Sequence, residues 1–179
     1  MRRIIRKVFF AWDYDKEEKW LNEMAAKGLS MVSYSVCKYE FEDCDPGEYK
    51  ICLQLLDNNY KHPESQKYIE FIESTGAEHV GSYMRWVYFR RKAELGEFEM
   101  FSDNDSRVKY LSKVIAFIAL IGGLNLFVGI YNILIAALLH MSFNFIGLIN
   151  VAIGIWAAFG VVKLLKKKKK IKSESQLYE

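Results

Sequence analysis

The side chains with the greatest capacity for chemistry in this chain are three cysteines, three histidines and a set of carboxylates. Cys37, Cys44 and Cys52 are odd in number, and their spacing matches no zinc signature. His62 and His79 do not complete one. We therefore expect reduced, partly buried thiols, no metal site and no cofactor.

The carboxylates form no catalytic pattern either. Glu17, Glu18 and Glu23 lie on a predicted helix whose apolar face is already assigned to the core, so we expect them to be solvated. The glycines are scattered and form no phosphate-binding loop. The sequence thus predicts no catalytic residue.

A long stretch without charge divides the chain into two parts. From Val114 to Val162, 49 consecutive residues include no Asp, Glu, Lys or Arg. A helix needs about 20 apolar residues to cross a bilayer, so the stretch accommodates two crossings. The polar break at His140-Met141-Ser142 separates predicted spans 114–139 and 143–165. They form a helical hairpin, because backbone polar groups in lipid must be paired within their own helix.

The basic residues predict the orientation of this hairpin. Three of them come directly before the first span, Lys163 lies near the end of the second, and six more lysines follow it, whereas the turn has none. By the positive-inside rule both termini are cytoplasmic, in a two-span protein of the plasma membrane. The basic tail, residues 166–179, either only fixes this topology or also attracts anionic lipid headgroups. The candidate headgroup contacts are Lys166, Lys167, Lys168, Lys169 and Lys170.

The part before the hairpin is long enough for one compact domain. Residues 1–113 carry 18 Lys or Arg against 20 Asp or Glu, a net charge of −2. A nearly neutral domain gives no electrostatic reason to expect nucleic-acid binding. We place a cytoplasmic α+β domain at residues 1–97 and a juxtamembrane linker or helix at 98–113.

Within this domain the pattern predicts strand, helix, strand, strand, and then the same order again. The helices end at Gly28 and Gly76, and Asp45-Pro46-Gly47 forms the turn between the units. The predicted strands are 4–10, 29–36, 37–42, 49–56, 77–83 and 85–91, and the predicted helices extend to 27 and from 63 to 75.

A shift of 48 residues aligns the two units, about 3–43 and 48–91. Trp20 then falls on Tyr68 and Gly28 on Gly76. This predicts a duplicated strand-helix-strand-strand unit that forms one antiparallel sheet with two helices on one face.

Such a sheet has a second face. If Phe41 and Phe89 face the helices, the two-residue period of a strand puts their neighbours on the opposite side. That face is either a ligand platform or protein contact, or an ordinary exposed sheet surface. Its candidate residues are Trp86, Tyr88, Glu40 and Lys38.

Both predicted spans contain the pattern G-x-x-N-x-x-x-G. Its residues share one helical face, where small side chains let helices approach and Asn can bond across. The pattern predicts a packing seam, either between the two spans or between protomers of a homo-oligomer; a polar ion path is the remaining alternative. The seam residues are Gly122, Asn125, Gly129, Gly147, Asn150 and Gly154.

Several strings resemble an uncharacterised domain family of Firmicutes. The most specific is W-L-N-x-M-A-x-x-G from Trp20 to Gly28, and Phe9-Phe10-Ala11-Trp12, Pro46-Gly47-Glu48-Tyr49 and Trp86-Val87-Tyr88-Phe89-Arg90 support it. The resemblance covers roughly residues 3–92 and implies no activity. It does imply C-terminal membrane spans and a gene near PadR-like regulators. The element order is also similar to the small-molecule-binding fold of drug-sensing regulators, an analogy of fold only.

The leading hypothesis is therefore a membrane-tethered cytoplasmic binding or sensor module that acts in signalling or regulation through a small ligand or a regulator protein. The alternative is an accessory subunit of a membrane complex, for example one associated with transport, in which the hairpin is the working surface. An enzyme of unknown type comes third.

Overall fold

A computed structural model of the chain describes residues 2–101, 103–139 and 145–175. They fall into two compact units, Met1–Met100 and Phe101–Glu179. The described elements of the first unit are β1 (Arg2–Arg6), α1 (Tyr14–Ala26), β2 (Leu29–Ser35), β3 (Lys38–Asp43), β4 (Tyr49–Leu55), α2 (Pro63–Ser74), β5 (Ala77–Tyr83) and β6 (Trp86–Lys92). Those of the second are α3 (Asn104–Leu138) and α4 (Phe145–Ser175).

Helices α1 and α2 end as their sequence predicts. Gly28 and Gly76 follow the last helical turns with φ of 83° and 85°, in the left-handed region that only glycine adopts without strain. At Gly28 a side chain would also meet the carbonyl oxygen of Cys44, because a Cβ there would lie 2.9 Å from it. Each glycine therefore stops its helix and directs the chain into the following strand.

The first unit is α+β, but its described strands form two small antiparallel sheets and not the single sheet that we expected. Sheet A has the order β1-β3-β2, and sheet B has the order β4-β6-β5. Strands β2 and β5 lie side by side without forming a ladder. Both are interrupted by a bulge, between Met31 and Ser33 in β2 and between His79 and Gly81 in β5. Bulges disrupt the regular pairing of a strand, which accounts for the separation of the sheets.

We had expected both helices to pack on one face of a sheet, but they do not. Trp20 of α1 packs on the side of sheet A that carries Tyr39 and Phe41, with ring centroids 5.0 Å and 5.8 Å apart. Helix α2 covers the side of sheet B that carries Val87 and Phe89, and its Ile69 and Ile72 join them in one buried cluster (Leu56, Ile69, Ile72, Ala77, Val87 and Phe89).

The first strand is shorter than predicted and begins earlier. β1 pairs only with β3, and this pairing ends where Arg6 meets Lys38, at the start of β3. The aromatic residues that follow have other partners: Phe9 lies 5.5 Å from the ring of Trp20, and Phe10 stacks on Trp12. These residues serve the core of α1 and do not extend the strand.

In the second unit, α3 and α4 are each long and apolar enough to cross a membrane. α3 begins at Asn104, ten residues before the predicted span, with Asp103 as its cap: the carboxylate accepts a hydrogen bond from the Ser106 N–H at 2.7 Å. The predicted break at 140–142 and the predicted start of the second span at Phe143 lie outside the described residues. α4 continues through the lysine run to Ser175.

Candidate functional site

Glu17 occupies the buried stripe of α1. Leu21 and Ala25 follow it at steps of four residues and are 0% and 1% exposed, and Glu17 itself is only 7% exposed. Residues four apart share a helix face, so a carboxyl group stands where the pattern requires an apolar side chain. The expectation that Glu17 is solvated was wrong. Its spacing from Leu21 and Ala25 was the signal in the sequence that would have identified it.

Two tyrosine hydroxyls satisfy this carboxyl group. Tyr39 of β3 donates to Glu17 Oε1 at 2.6 Å, and Tyr88 of β6 donates to the same oxygen at 2.8 Å. Both tyrosines are buried. Because β3 belongs to sheet A and β6 to sheet B, Glu17 ties the two sheets to α1 through one atom.

Two further side chains of α1 fix the rotation of the helix. Asn22 forms two hydrogen bonds with the free edge of β4: its amide donates to Ile51 O at 2.7 Å and accepts from Ile51 N at 3.0 Å. Glu18 accepts a hydrogen bond from Leu53 N at 2.8 Å. Both side chains bond the backbone of β4 where a neighbouring strand would otherwise pair with it. They thereby keep the face of α1 that carries Glu17 turned towards the two tyrosines.

A third tyrosine packs against both hydroxyl donors. The ring of Tyr34 stacks on Tyr88 with centroids 4.5 Å apart and lies 5.0 Å from Tyr39. We call Glu17, Tyr34, Tyr39 and Tyr88 the Glu17 cluster. Its position follows from close backbone packing, because a Cβ on Gly81 of β5 would lie 3.1 Å from the backbone nitrogen of Tyr34.

Burial and hydrogen bonding shift the pKa of Glu17 in opposite directions, and burial has the larger effect. Burial raises the pKa of Glu17 above its usual 4.5, and the hydrogen bonds from Tyr39 and Tyr88 oppose this only in part. Burial is also the largest cause that raises the pKa of both phenols. The tyrosines therefore remain hydrogen-bond donors at any physiological pH.

In the part of the chain that the structure describes, no basic side chain compensates Glu17. Among the residues that the structure describes, its partners are the two hydroxyls, and no Lys or Arg pairs with it. A buried carboxylate without a cation is costly, so the group either keeps its proton or takes a positive charge from outside. Aromatic ring faces next to a carboxylate are the surroundings that an organic cation prefers.

Further aromatic side chains lie near the cluster. Tyr83, which is 41% exposed, lies 6.4 Å from the ring of Tyr34. Tyr14, which precedes Glu17 by three residues in α1, is half-buried and lies 5.7 Å from the ring of Trp86.

The residues predicted for the open sheet face are divided between two places. Trp86 and Tyr88 are buried, at 8% and 3% exposure, because α1 and Tyr34 cover them. Lys38 and Glu40 remain on the partly exposed face of sheet A, where they form an ion pair of 2.6 Å with each other. The structure thus joins Tyr88 to Glu17 and does not bring Trp86 and Tyr88 together with Lys38 and Glu40.

The seam residues of the second unit lie where α3 and α4 meet. A Cβ on Gly122 would lie 2.6 Å from the Cβ of Ala157, and one on Gly129 would lie 2.8 Å from Gly147 O. Gly154 packs against Leu126 in the same way. The amides of Asn125 and Asn132 donate to carbonyls four residues earlier in α3 and not to α4.

The predicted headgroup lysines, 166–170, continue α4 as a helix. Lys168, Lys169 and Lys172 line a shallow surface pocket with Leu165 and Ser173. The cysteines are all free thiols, with Cys52 buried. Within the described residues, no group of three His, Cys, Asp or Glu side chains is placed to hold a metal ion.

Comparison with known families gives one match. A family model described as "Protein of unknown function (DUF2812)" matches residues 13–122, from the residue before α1 to the middle of α3. The chain belongs to the DUF2812 family. The matched region contains the whole Glu17 cluster, begins later than the predicted 3–92 and extends into the first long apolar helix. No curated protein and no solved structure matches the chain.

Proposed function

We propose that this DUF2812 protein is a two-span membrane protein whose cytoplasmic α+β unit binds a small organic cation at the Glu17 cluster and acts as a membrane-tethered sensor. The observation that carries the proposal is a buried carboxyl group that accepts hydrogen bonds from two tyrosines, with a third tyrosine stacked on one of them and with no basic partner among the described residues. In the empty site the carboxyl group keeps a proton. A bound cation takes the place of that proton.

This exchange is favourable for physical reasons. A cation over a desolvated aromatic face gains about 2 kcal/mol or more. Ionised Glu17 then becomes one half of an ion pair, and the two hydroxyls that already point at Oε1 stabilise its charge. A neutral molecule of the same shape would gain the ring contacts alone.

The membrane part of the proposal rests on composition. The charge-free stretch of 49 residues forms two long apolar helices in the structure. The lysines in the C-terminal part of the second helix favour cytoplasmic termini, and their charge favours contact with anionic lipid headgroups. A sensor held in this way would meet lipophilic cations where they concentrate, at the membrane surface.

Duplication of the strand-helix-strand-strand unit belongs to the same proposal. β2 and β5 begin and end 48 residues apart, and so do the glycines with positive φ that precede them. The bulges also fall at equivalent places in the two strands. However, the position equivalent to Glu17 is a buried serine, Ser65. The two units would therefore have diverged at the site itself.

A sensor needs an output, and a regulator protein remains the leading candidate partner. If the chain belongs with the Firmicutes proteins that are encoded near PadR-like regulators, such a regulator would be the partner. The alternative of an accessory subunit in a membrane complex is favoured by the asparagines of α3 and α4. An enzyme has no comparable observation in its favour.

The experiment that tests the proposal is purification of the full chain from native membranes, followed by mass spectrometry of the small molecules and proteins that it retains. The matched control is Glu17→Gln, which keeps an oxygen acceptor for both tyrosines and cannot become negative. We expect organic cations to be enriched with the wild type and lost from the variant. Equal recovery from both proteins would rule out Glu17 as the ligand contact.

A further inference from the structure

Three asparagines follow seam glycines at the same interval. Asn125 follows Gly122 by three residues, Asn132 follows Gly129, and Asn150 of α4 follows Gly147. A step of three residues turns the side chain by about 60° from the direction of the glycine, against the helical sense. Each asparagine thus lies beside the seam and not in its centre.

All three lie on the same side of the hairpin. Gly122 lies against Ala157, and Gly129 against Gly147 and Val151, so α3 and α4 run antiparallel. Two antiparallel helices that face each other are related by a two-fold axis perpendicular to the plane that contains both. Rotation about this axis exchanges the helices, but a side chain on one side of the plane stays on that side. The same three-residue step therefore leads to the same side in both helices. We call Asn125, Asn132 and Asn150 the Asn flank.

The flank retains unused hydrogen-bonding capacity. The amides of Asn125 and Asn132 each donate one hydrogen bond to a carbonyl oxygen of their own helix, at 2.9 Å and 2.8 Å. Within the described residues, Asn150 makes no side-chain hydrogen bond, and all three side chains are partly exposed. Each amide offers two donor hydrogens and an acceptor oxygen. Lipid tails cannot satisfy them.

The opposite side of the hairpin is different. The residue after a seam glycine turns to that side, and there the chain has Ile130 and Ile155, which are 50% and 60% exposed. Among the described residues, the amide side chains in the middle of the apolar helices lie on the Asn flank, where they are partly exposed. From the seam register, Asn150 lies at a depth between Asn125 and Asn132, and the three extend over about 10 Å.

We propose that the Asn flank binds the same flank of a second copy of this chain; the proposal rests on the membrane location proposed above. Two copies have the same topology, so a two-fold axis along the membrane normal sets each asparagine against its own counterpart at the same depth. Amides are self-complementary, because each one donates and accepts. Any other partner would need polar groups at the same three depths.

Cysteine cross-linking of the full chain in native membranes tests this geometry. Four isoleucines serve as matched positions: Ile121 and Ile153 precede seam glycines and turn to the Asn flank, whereas Ile130 and Ile155 turn away. The native cysteines are replaced by serine or alanine. We expect oxidation to give dimers from Ile121→Cys and Ile153→Cys, and not from Ile130→Cys or Ile155→Cys. Equal cross-linking at all four, or at none, would overturn the proposal.

Substitution of the flank gives the second test. Replacing Asn125, Asn132 and Asn150 by leucine removes three amide pairs, each of which strengthens association by a factor of about 2.7, so dimerisation of the full chain in phosphatidylcholine vesicles should weaken about twentyfold. Ile130→Ala with Ile155→Ala should leave it unchanged. A monomeric wild type, or a cross-linked product containing another protein, would refute the second copy. Carbonate extraction of the same membranes separates these results from failure of the membrane proposal, which would release the chain.

Discussion

Replacing Glu17 by leucine should destabilise the first unit far more than replacing it by glutamine. Leucine leaves the hydroxyls of Tyr39 and Tyr88 buried without their acceptor. Each such orphaned group costs about 1–3 kcal/mol, so the expected loss is about 2–6 kcal/mol. Glutamine keeps a carbonyl oxygen at the position of Oε1, and its cost should stay below about 1 kcal/mol at acidic pH.

The assay is urea unfolding of the full chain in detergent, followed by tryptophan fluorescence. Trp156 is first changed to phenylalanine, so that Trp12, Trp20 and Trp86 of the first unit give the signal. Adding Tyr39→Phe and Tyr88→Phe to Glu17→Leu removes the orphaned hydroxyls and should restore part of the loss. Equal unfolding free energies for Glu17→Leu and Glu17→Gln would refute the reasoning.

The same comparison has a defined pH dependence. Because burial raises the folded-state pKa of Glu17 above its usual 4.5, the folded protein binds a proton that the unfolded chain has already released. Stability from this group is therefore fully present below about pH 4.5 and is lost as the pH rises through the folded-state pKa. Glu17→Gln lacks this decline, so its stability relative to the wild type should increase with pH over that window.

Three further predictions concern other parts of the molecule. Arg90, whose guanidinium bonds Glu42 at 2.6 Å and Glu78 at 2.7 Å, joins the two sheets; Arg90→Ala should cost about 1.5–3 kcal/mol in the urea assay, and Arg90→Lys should recover little of it. Burial raises the pKa of the Cys52 thiol, so it should react with a thiol reagent only after unfolding. A cysteine at position 142 should be labelled by a membrane-impermeant maleimide on intact cells. If that cysteine is not labelled and the native cysteines are, the topology is the reverse of the one proposed.

The sequence predicted what local chemistry determines. Gly28 and Gly76 end their helices because a positive φ is a property of the residue itself. The predicted limits of β5, at residues 77–83, agree with the structure because alternation and the flanking glycine are local signals. The division into two sheets was missed, since it depends on two bulges and on the close approach of Gly81 to Tyr34.

The candidate site was only half predictable. Tyr88 was selected for an exposed face, but a partner 71 residues earlier in the chain buries its hydroxyl. Glu17 was assigned to solvent because charged side chains on amphipathic helices are usually solvated, although its register with Leu21 marks the buried stripe. Nothing in a local pattern specifies that hydroxyls from two different sheets converge on one carboxylate oxygen.

The most direct test of the cation-binding proposal is the pH dependence of affinity for benzyltrimethylammonium, measured by tryptophan fluorescence with the full chain in detergent. If the cation replaces the proton of Glu17, affinity should rise tenfold per pH unit below the folded-state pKa and level off above it. Glu17→Gln should bind weakly at every pH. The neutral carbon isostere, neopentylbenzene, should show no pH dependence. A wild type that binds both compounds equally, with affinity independent of pH, would contradict the account.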